Sequence, residues 1–332
     1  MRILITGGAG FIGSHLAEAL LAEGHHVTVL DNLSTGRLEN VAHLEGHERF
    51  HLVIGDILNE FLVDKLVERA DWIFHLAAAV GVELIVRDPL RSLMTNIKGS
   101  EIVLEAVYRY HRKALITSTS EIYGKNARGP LKEDDDRILG SPLKSRWSYS
   151  TSKAVDEILA FVYWKEKKVP TVIVRLFNMV GPRQTGHYGM VIPRFVEQAL
   201  KDQPITVFGT GEQSRCFLFV KDAVSGMIRL MEHPEAVGHV FNLGNQEEIS
   251  INHLAEKIIR MTGSSSKIVH IPYDQAYEEG FEDMERRFPD TTKANRLVGF
   301  KPTVNLDGIL QMVFAEFRER ITAAKVSSVA QS

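Results

Sequence analysis

Short apolar runs alternate with longer stretches of helical periodicity through the first half of the chain. Runs such as Ile3–Ile5 and Thr171–Arg175 are rich in β-branched residues, which is typical of strands buried on both faces of a parallel sheet. Stretches such as Met94–Tyr110 and Trp147–Lys167 carry apolar residues three and four positions apart, which predicts helices. The other predicted strands are His26–Asp31, Phe50–Ile54, Trp72–Leu76 and Lys113–Thr117, and the other helices are His15–Gly24 and Leu58–Arg69.

After about residue 178 prolines and glycines become frequent, and the elements become short and mixed. Phe241–Gly244 and Ile249–Ile251 have the pattern of short strands, and Asn252 or Ser250 can cap a helix that ends at Thr262. We therefore predict an α/β protein with a doubly wound parallel sheet over residues 1–177, to which some later segments return. A smaller mixed α/β C-terminal lobe for substrate is expected over residues 178–322, and a frayed tail over 323–332.

Composition excludes several classes of function. The 332 residues are 44% hydrophobic, enough for a sizeable core, and the net charge of −3 favours neither nucleic acid nor a membrane as partner. No apolar run approaches the ~20 residues of a membrane span, and the histidines show no zinc-type spacing. Cys216 is the single cysteine, expected to be packed rather than reactive. With no leader sequence after Met1, we expect a cytoplasmic protein that binds no metal.

Gly7, Gly10 and Gly13 lie between the first strand and the first helix. Glycines let the backbone approach a pyrophosphate, whose charge then faces the N-terminus of the helix. Asp31 ends the second strand, where a carboxylate accepts hydrogen bonds from an adenosine ribose. The three residues after Asp31 include no arginine, and a carboxylate repels a 2′-phosphate. The pattern therefore predicts a Rossmann-type fold that binds NAD rather than NADP.

Tyr149 and Lys153 are four residues apart at the start of a predicted helix, so their side chains share one face. An ammonium beside a phenol stabilises the phenolate and lowers a pKa that starts near ~10. Tyr149 is therefore a candidate general base for a substrate hydroxyl, and Lys153 can also bind the nicotinamide ribose. The hydroxyls at the preceding strand end that can hydrogen-bond the reacting oxygen are those of Ser118, Thr119 and Ser120.

Further motifs accompany these residues along the chain. They are Asp31-Asn32-Leu33-Ser34, His75-Leu76-Ala77-Ala78, the block 117–124, Arg175-Leu-Phe-Asn178, Gly181-Pro-Arg183, Gln213-Ser-Arg215 and Asn242-Leu-Gly244. Together the motifs resemble the extended short-chain dehydrogenase/reductases, up to about residue 320. The resemblance implies an NAD-dependent enzyme that modifies a nucleotide sugar through a 4-keto intermediate, with Tyr149 as base. It also implies a homodimer, whose interface we expect at the helices Met94–Tyr110 and Trp147–Lys167.

The same resemblance implies two sets of binding residues. Those expected to line NAD are Gly7, Gly10, Phe11, Ile12, Gly13, Asp31, Asn32, Asp56, Ile57, Leu76, Ala77, Ala78, Asn96, Tyr149 and Lys153. Those expected near the nucleotide sugar are Asn178, Val191, Phe208, Arg215 and Arg287. Asn178 and Arg215 would contact the diphosphate, whereas Val191 and Phe208 could equally be plain core residues.

Two places in the chain bear on the reaction. Ser120-Glu121 resembles UDP-glucuronate decarboxylases, although guanosine-linked mannose dehydratases show the pair too. Thymidine-linked glucose 4,6-dehydratases usually carry Asp-Glu there, and simple glucose 4-epimerases usually lack the second acid. The segment 280–290 also resembles the decarboxylases, in which an arginine two residues before a proline enters the active site, as Arg287 would here. The implied catalytic residues are Tyr149, Lys153, Ser120, Glu121, Thr119 and Arg287.

We therefore predict a UDP-glucuronate decarboxylase of the UDP-xylose-forming type. A ketone at C4 makes the substrate carboxylate part of a β-keto acid, and an arginine can bind that carboxylate and steady the enolate left behind. A UDP-glucose or UDP-glucuronate 4-epimerase is the alternative, because epimerisation depends on pocket room that a sequence does not show. A non-catalytic NAD-binding sensor or scaffold is a remote alternative, disfavoured by the intact Tyr149 and Lys153.

Overall fold

The computed structural model describes residues 1–79, 88–144, 146–186, 190–276 and 283–329. The strands are β1 Arg2–Thr6, β2 His26–Asp31, β3 Phe50–Ile54, β4 Trp72–His75, β5 Lys113–Thr119, β6 Thr171–Leu176, β7 Met179–Val180, β8 Ile205–Phe208, β9 Ser214–Cys216, β10 Leu218–Phe219, β11 Val240–Leu243, β12 Glu248–Ser250, β13 Ile268–Ile271 and β14 Arg286–Arg287. The helices are α1 Phe11–Ala22, α2 Glu60–Glu68, α3 Pro89–Arg109, α4 Arg146–Lys167, α5 Val191–Leu200, α6 Val220–Glu232, α7 Ile251–Thr262, α8 Tyr273–Ala276, α9 Thr292–Val298 and α10 Leu306–Val329.

A parallel sheet of seven strands forms the centre, in the order β11-β6-β5-β4-β1-β2-β3. Alternate residues of a strand point to opposite faces, so Ile3 and Ile5 pack on one side, with α1 and α6, in one buried cluster. Leu4 packs on the other side with α2, α3 and α4. The predicted doubly wound, Rossmann-type sheet is thereby confirmed.

The C-terminal part builds a smaller mixed lobe. β9 pairs antiparallel with β12 and parallel with β14, while β8 pairs with β13. Helices α5, α7 and α10 enclose a separate apolar cluster there. β11 joins the main sheet beside β6, and α6 packs against α1. Segments after residue 177 therefore contribute to the central sheet and to the helices that cover it. The domain limits at 177 and 322 stay predictions.

Element ends differ from the predicted ones where local capping decides them. α3 begins at Pro89, before the predicted Met94, because Asp88 accepts a hydrogen bond from Arg91 N and proline suits a first turn. Of the two candidate caps for α7, Ser250 is the one that accepts from His253 N. α10 continues to Val329, so the expected frayed tail is helical over 323–329, and 330–332 lie outside the described residues.

Three observations concern the predictions made from composition about the cysteine, a membrane span and a metal site. Cys216 is buried, and burial raises the pKa of its thiol to about 12, as expected for a packed cysteine. Among the described residues, no helix has both the length and the apolar content needed to cross a membrane. Nor does this part of the chain bring three His, Cys, Asp or Glu side chains together in a metal-binding group. The cytoplasmic location stays a prediction.

Candidate active site

The carboxyl ends of the central strands open into a cavity of about 540 Å³ between the sheet and the lobe. This is where ligands bind in doubly wound folds. The predicted site residues that line it are Gly7, Gly10, Phe11, Ile12, Gly13, Asp31, Asn32, Ile57, Leu76, Ala77, Ala78, Thr119, Ser120, Glu121, Tyr149, Lys153, Asn178, Val191, Phe208, Arg215 and Arg287. Residues far apart in the sequence thus share one cavity.

Two predicted cofactor residues do not line this cavity. The Asp56 carboxylate accepts a hydrogen bond from Asn32 Nδ2 at 2.9 Å, so it supports a lining residue. Asn96 is buried, and its Oδ1 accepts from Ala79 N at 2.8 Å while its Nδ2 donates to Ser152 Oγ at 3.1 Å. Asn96 therefore ties the small residues after β4 to the helix that carries Tyr149 and Lys153.

The glycine turn after β1 has the shape that a pyrophosphate needs. Gly7 has φ +72°, and a Cβ at Gly7 would lie 2.7 Å from Ala77 N. A Cβ at Gly13 would lie 2.3 Å from Gly7 O. Gly10 is the N-cap of α1 and has no side chain to bond the first-turn N–H groups, which therefore remain for an anionic ligand.

Asp31 lies at the end of β2 and is 7% exposed. Its carboxylate accepts from Ala9 N at 2.9 Å and from Leu33 N at 2.8 Å. Burial raises the pKa of Asp31, and these backbone donors oppose the rise. A carboxylate has further lone pairs for ribose hydroxyls. Arg37 also lines the cavity, beyond the three positions that the sequence argument considered.

Tyr149 lies in the first turns of α4, and the Thr119 hydroxyl at the end of β5 is near enough to lower the pKa of its phenol slightly. Ser120 is buried beside them in the cavity wall. Burial raises the pKa of Tyr149 above its usual range, and the negative charges of Glu121 and Asp156 add to the rise. A lowering by Lys153 is not seen among these effects, in which burial is the largest, and the Lys153 ammonium donates to Asp156 Oδ2 at 2.7 Å.

Glu121 and Arg287 meet inside the cavity. Glu121 belongs to the short 3-10 helix Ser120–Tyr123 after β5, and Arg287 belongs to β14 at the edge of the lobe. Arg287 Nη1 lies 3.5 Å from Glu121 Oε1, and both side chains are largely buried. A guanidinium has five donors in a fixed fork, so Arg287 can hold Glu121 and a substrate carboxylate together.

At the lobe end of the cavity, the predicted Arg215 and Phe208 lie beside polar residues to which the sequence assigned no role, namely Arg194, Tyr273 and Asp283. Arg215 Nη2 donates to Asp283 Oδ2 at 3.0 Å, and Gln213 Nε2 donates to Tyr273 OH at 3.1 Å. The Arg194 guanidinium lies 3.9 Å from the centre of the Phe208 ring. Gln213 and Arg215 belong to one of the motifs given above and Asp283 lies in the segment 280–290, whereas Tyr273 and Arg194 have no spacing signal. Three of the eleven residues of the segment 280–290, residues 280–282, lie outside the described residues together with 277–279.

Comparison with known families agrees with this fold and cavity. The model of the GDP-mannose 4,6 dehydratase family matches residues 4–313. A glycine turn, an acid ending β2 and a Tyr-x-x-x-Lys pair on α4 are the features that the motifs predicted. The chain belongs to this family, within the extended short-chain dehydrogenase/reductases.

Individual relatives indicate which enzymes of this family are similar to the chain. The chain is 41% identical to the UDP-N-acetyl-alpha-D-glucosaminuronate decarboxylase of Bacillus cytotoxicus, over 96% of this chain and 98% of that protein. It is 38% identical to UDP-glucuronic acid decarboxylase 1 of Xenopus tropicalis, over 96% of this chain and 73% of that protein. Among solved structures, the UDP-glucuronic acid 4-epimerase of Bacillus cereus, in complex with UDP-glucuronic acid and NAD, superposes with TM-score 0.87 at 32% identity, covering 96% and 99% of the two chains.

Proposed function

We propose that this protein is an NAD-dependent decarboxylase of a UDP-linked hexuronate, with UDP-glucuronate as the best candidate substrate. The observation that carries the proposal is the Glu121–Arg287 pair in the same cavity as Tyr149 and Lys153. A buried guanidinium is suited to a carboxylate, which it can bind with two parallel hydrogen bonds. The decarboxylase relatives at 41% and 38% identity support the same reaction.

The cavity fits the cofactor on structural grounds. The glycine turn and the open N-terminus of α1 suit the pyrophosphate, and Asp31 suits the adenosine ribose hydroxyls. When bound, NAD supplies a reversible two-electron oxidation at C4 of the sugar. The residues that would hold the nicotinamide end are Tyr149, Lys153, Leu76, Ala77 and Ala78.

The first task of the protein is to move the C4 hydroxyl proton. Tyr149 takes that proton as the C4 carbon is oxidised, and the Thr119 hydroxyl orients the phenol oxygen. Lys153 supplies the positive charge that stabilises the phenolate. The same proton is returned from Tyr149 when C4 is reduced again, so the tyrosine must act both as base and as acid.

The 4-keto sugar acid then loses carbon dioxide. The bond between C5 and the carboxylate carbon breaks, and its electron pair becomes the C4–C5 enolate. Arg287 holds the carboxylate and afterwards lies beside the enolate charge. Glu121, paired with Arg287, is placed to relay the proton that C5 takes up. Reduction at C4 completes the UDP-pentose.

A 4-epimerase remains the second candidate function. It is favoured by the 0.87 TM-score with the UDP-glucuronic acid 4-epimerase of Bacillus cereus. Epimerisation uses the same Tyr149 and Lys153, but Arg287 would then only anchor the carboxylate. The intact hydroxyl, phenol and ammonium groups disfavour a non-catalytic role.

Mass spectrometry of the products distinguishes these candidates. Purified protein with NAD is given UDP-glucuronate, UDP-N-acetylglucosaminuronate and UDP-glucose in separate reactions. Loss of carbon dioxide from either uronate supports the decarboxylase and identifies the sugar. An unchanged mass with a new retention time identifies a 4-epimerase. If no substrate changes, the enzymatic proposal is overturned.

We also propose a homodimer formed through α3 and α4. Apolar side chains stand exposed along both helices, including Leu90 at 71% and Ile158 at 58%. The others are Met94, Tyr108, Phe161 and Val162. The two helices pack side by side, so these residues form one surface, and a large exposed apolar surface favours a protein partner.

A further inference from the structure

Lys153 and Asp156 form an ion pair within α4, one turn apart. Lys153 Nζ donates to Asp156 Oδ2 at 2.7 Å, and the two residues are 2% and 0% exposed. Burying an ammonium is costly unless an opposite charge compensates for it. The Tyr-x-x-x-Lys motif does not include Asp156, which lies outside the set of residues lining the cavity.

The hydrogen bonds of the Lys153–Asp156 pair are incomplete, unlike those of an ion pair that only stabilises the fold. Asp156 Oδ1 is buried and has no hydrogen-bond partner among the described residues. The neighbouring Glu157 offers a contrast, because Arg175 binds both of its oxygens, at 2.9 and 2.8 Å. A buried carboxylate oxygen without a hydrogen bond lowers the stability of the fold. An effect on Lys153 therefore explains the position of Asp156 better than a contribution to stability does.

We propose that Asp156 is a positioning residue for Lys153: its carboxylate fixes the ammonium and balances part of its charge beside Tyr149. The proposal rests on the proposed function, in which Tyr149 first removes the C4 proton and later returns it. An uncompensated ammonium would stabilise the phenolate so strongly that it would be a weak base for the C4 proton. Asp156 therefore keeps the tyrosine able to work in both directions.

The other groups around the Tyr149–Lys153 pair leave this role to Asp156. Glu121 faces Tyr149 from the 3-10 helix, but Arg287 of β14 is paired with it. His75 of β4 is buried, and burial together with the Lys153 charge lowers its pKa to about 3, so it stays neutral near pH 7. Asp156 is then the negative group in direct contact with Lys153 Nζ.

The test is the pH dependence of kcat in an Asp156→Asn variant of the NAD-loaded enzyme. Removing the charge lowers the pKa of the Tyr149 phenol, so the acid limb of the profile moves to lower pH, by about one unit. Because the more stable phenolate is a weaker base for the C4 proton, kcat at neutral pH falls while KM changes little. An acid limb that stays in place or moves to higher pH overturns the proposal.

Glu157→Gln is the matched control, since it removes a buried carboxylate from the adjacent position of the same helix. The variant is expected to lose stability but to keep the acid limb of the pH profile in place, because Glu157 contacts Arg175 and not Lys153. If both variants shift the limb equally, the effect is a general one and the proposal for Asp156 is overturned.

A second measurement does not depend on turnover. Thermal unfolding is compared for Asp156→Asn, Lys153→Met and the double variant. Each single change leaves a lone buried charge and lowers the unfolding midpoint by several degrees, whereas the double variant recovers most of the loss. Strictly additive losses overturn the pairing. If the wild-type protein converts no UDP-sugar, the proposed function fails, and this cycle still decides whether the pair exists.

Discussion

Tyr149 is distinguished from its neighbours in α4 by the position of its hydroxyl at the active-site cavity. Tyr149→Phe removes only that oxygen, so the fold and the binding of NAD and UDP should remain. We expect turnover to fall by about 10²–10⁴-fold, the usual worth of a general acid–base group. Product formation and calorimetric binding of NAD check this expectation. Tyr163→Phe makes the same change about four turns along the helix and should leave the rate unaltered.

The role proposed for Arg287 depends on the forked geometry of its guanidinium. Arg287→Lys keeps the charge but loses the fork that can hold Glu121 and a carboxylate together. We expect decarboxylation of UDP-glucuronate to fall at least tenfold, while the absorbance of NADH shows that oxidation at C4 continues. The neighbouring Arg286 pairs with exposed Glu248, so Arg286→Lys is the control. Equal decarboxylation by the two variants would remove Arg287 from the mechanism.

At the level of elements, β11 is joined to both halves of the Glu121–Arg287 pair through Asn242. Asn242 Oδ1 accepts from Tyr123 OH at 2.7 Å, in the 3-10 helix that carries Glu121. Asn242 Nδ2 donates to Leu131 O at 2.9 Å and Asp290 O at 3.2 Å. Leu131 also donates from its N to Phe288 O at 2.7 Å, next to Arg287. These bonds fix the distance between two catalytic candidates from different elements.

Asn242→Ala should therefore affect both stability and product formation. The variant leaves buried polar groups without partners, which costs about 1–3 kcal/mol, and we expect more 4-keto intermediate to be released. Urea unfolding and product analysis measure the two effects. Asn245→Ala is the control, because Asn245 is also buried but donates to Phe217 O within the lobe. A loss of stability with unchanged products would limit Asn242 to a structural role.

Elements with a long apolar signal could be predicted from the sequence, and the junctions between them could not. β3 begins and ends at the predicted residues, because four of the five residues from Phe50 to Ile54 are apolar. β14 is two residues, Arg286–Arg287, with no periodicity. Its place beside β9 depends on tertiary contacts, so the meeting of Arg287 with Glu121 was not foreseen. Asp156 did carry a signal, since a residue three after Lys153 shares its helix face.

For the whole molecule, the apolar surface of α3 and α4 should control the oligomeric state. Ile158→Glu places a charge on this surface, and we expect the proposed dimer to give way to a monomer in light scattering. Val269→Glu is the control, because Val269 is exposed on β13 of the lobe. A dimer that survives Ile158→Glu would place the interface elsewhere.

The late position of β11 in the chain has a consequence for biosynthesis. Until Leu243 leaves the ribosome, β6 has β5 as its neighbour in the main sheet. Its other edge, including the Ile173 N–H that donates to His239 O in the complete fold, has no partner strand. Exposed strand edges invite association between nascent chains. A fragment that stops at residue 177 should therefore aggregate when it is expressed alone. The cofactor-binding half and the substrate-binding half of this enzyme are expected to mature as one unit.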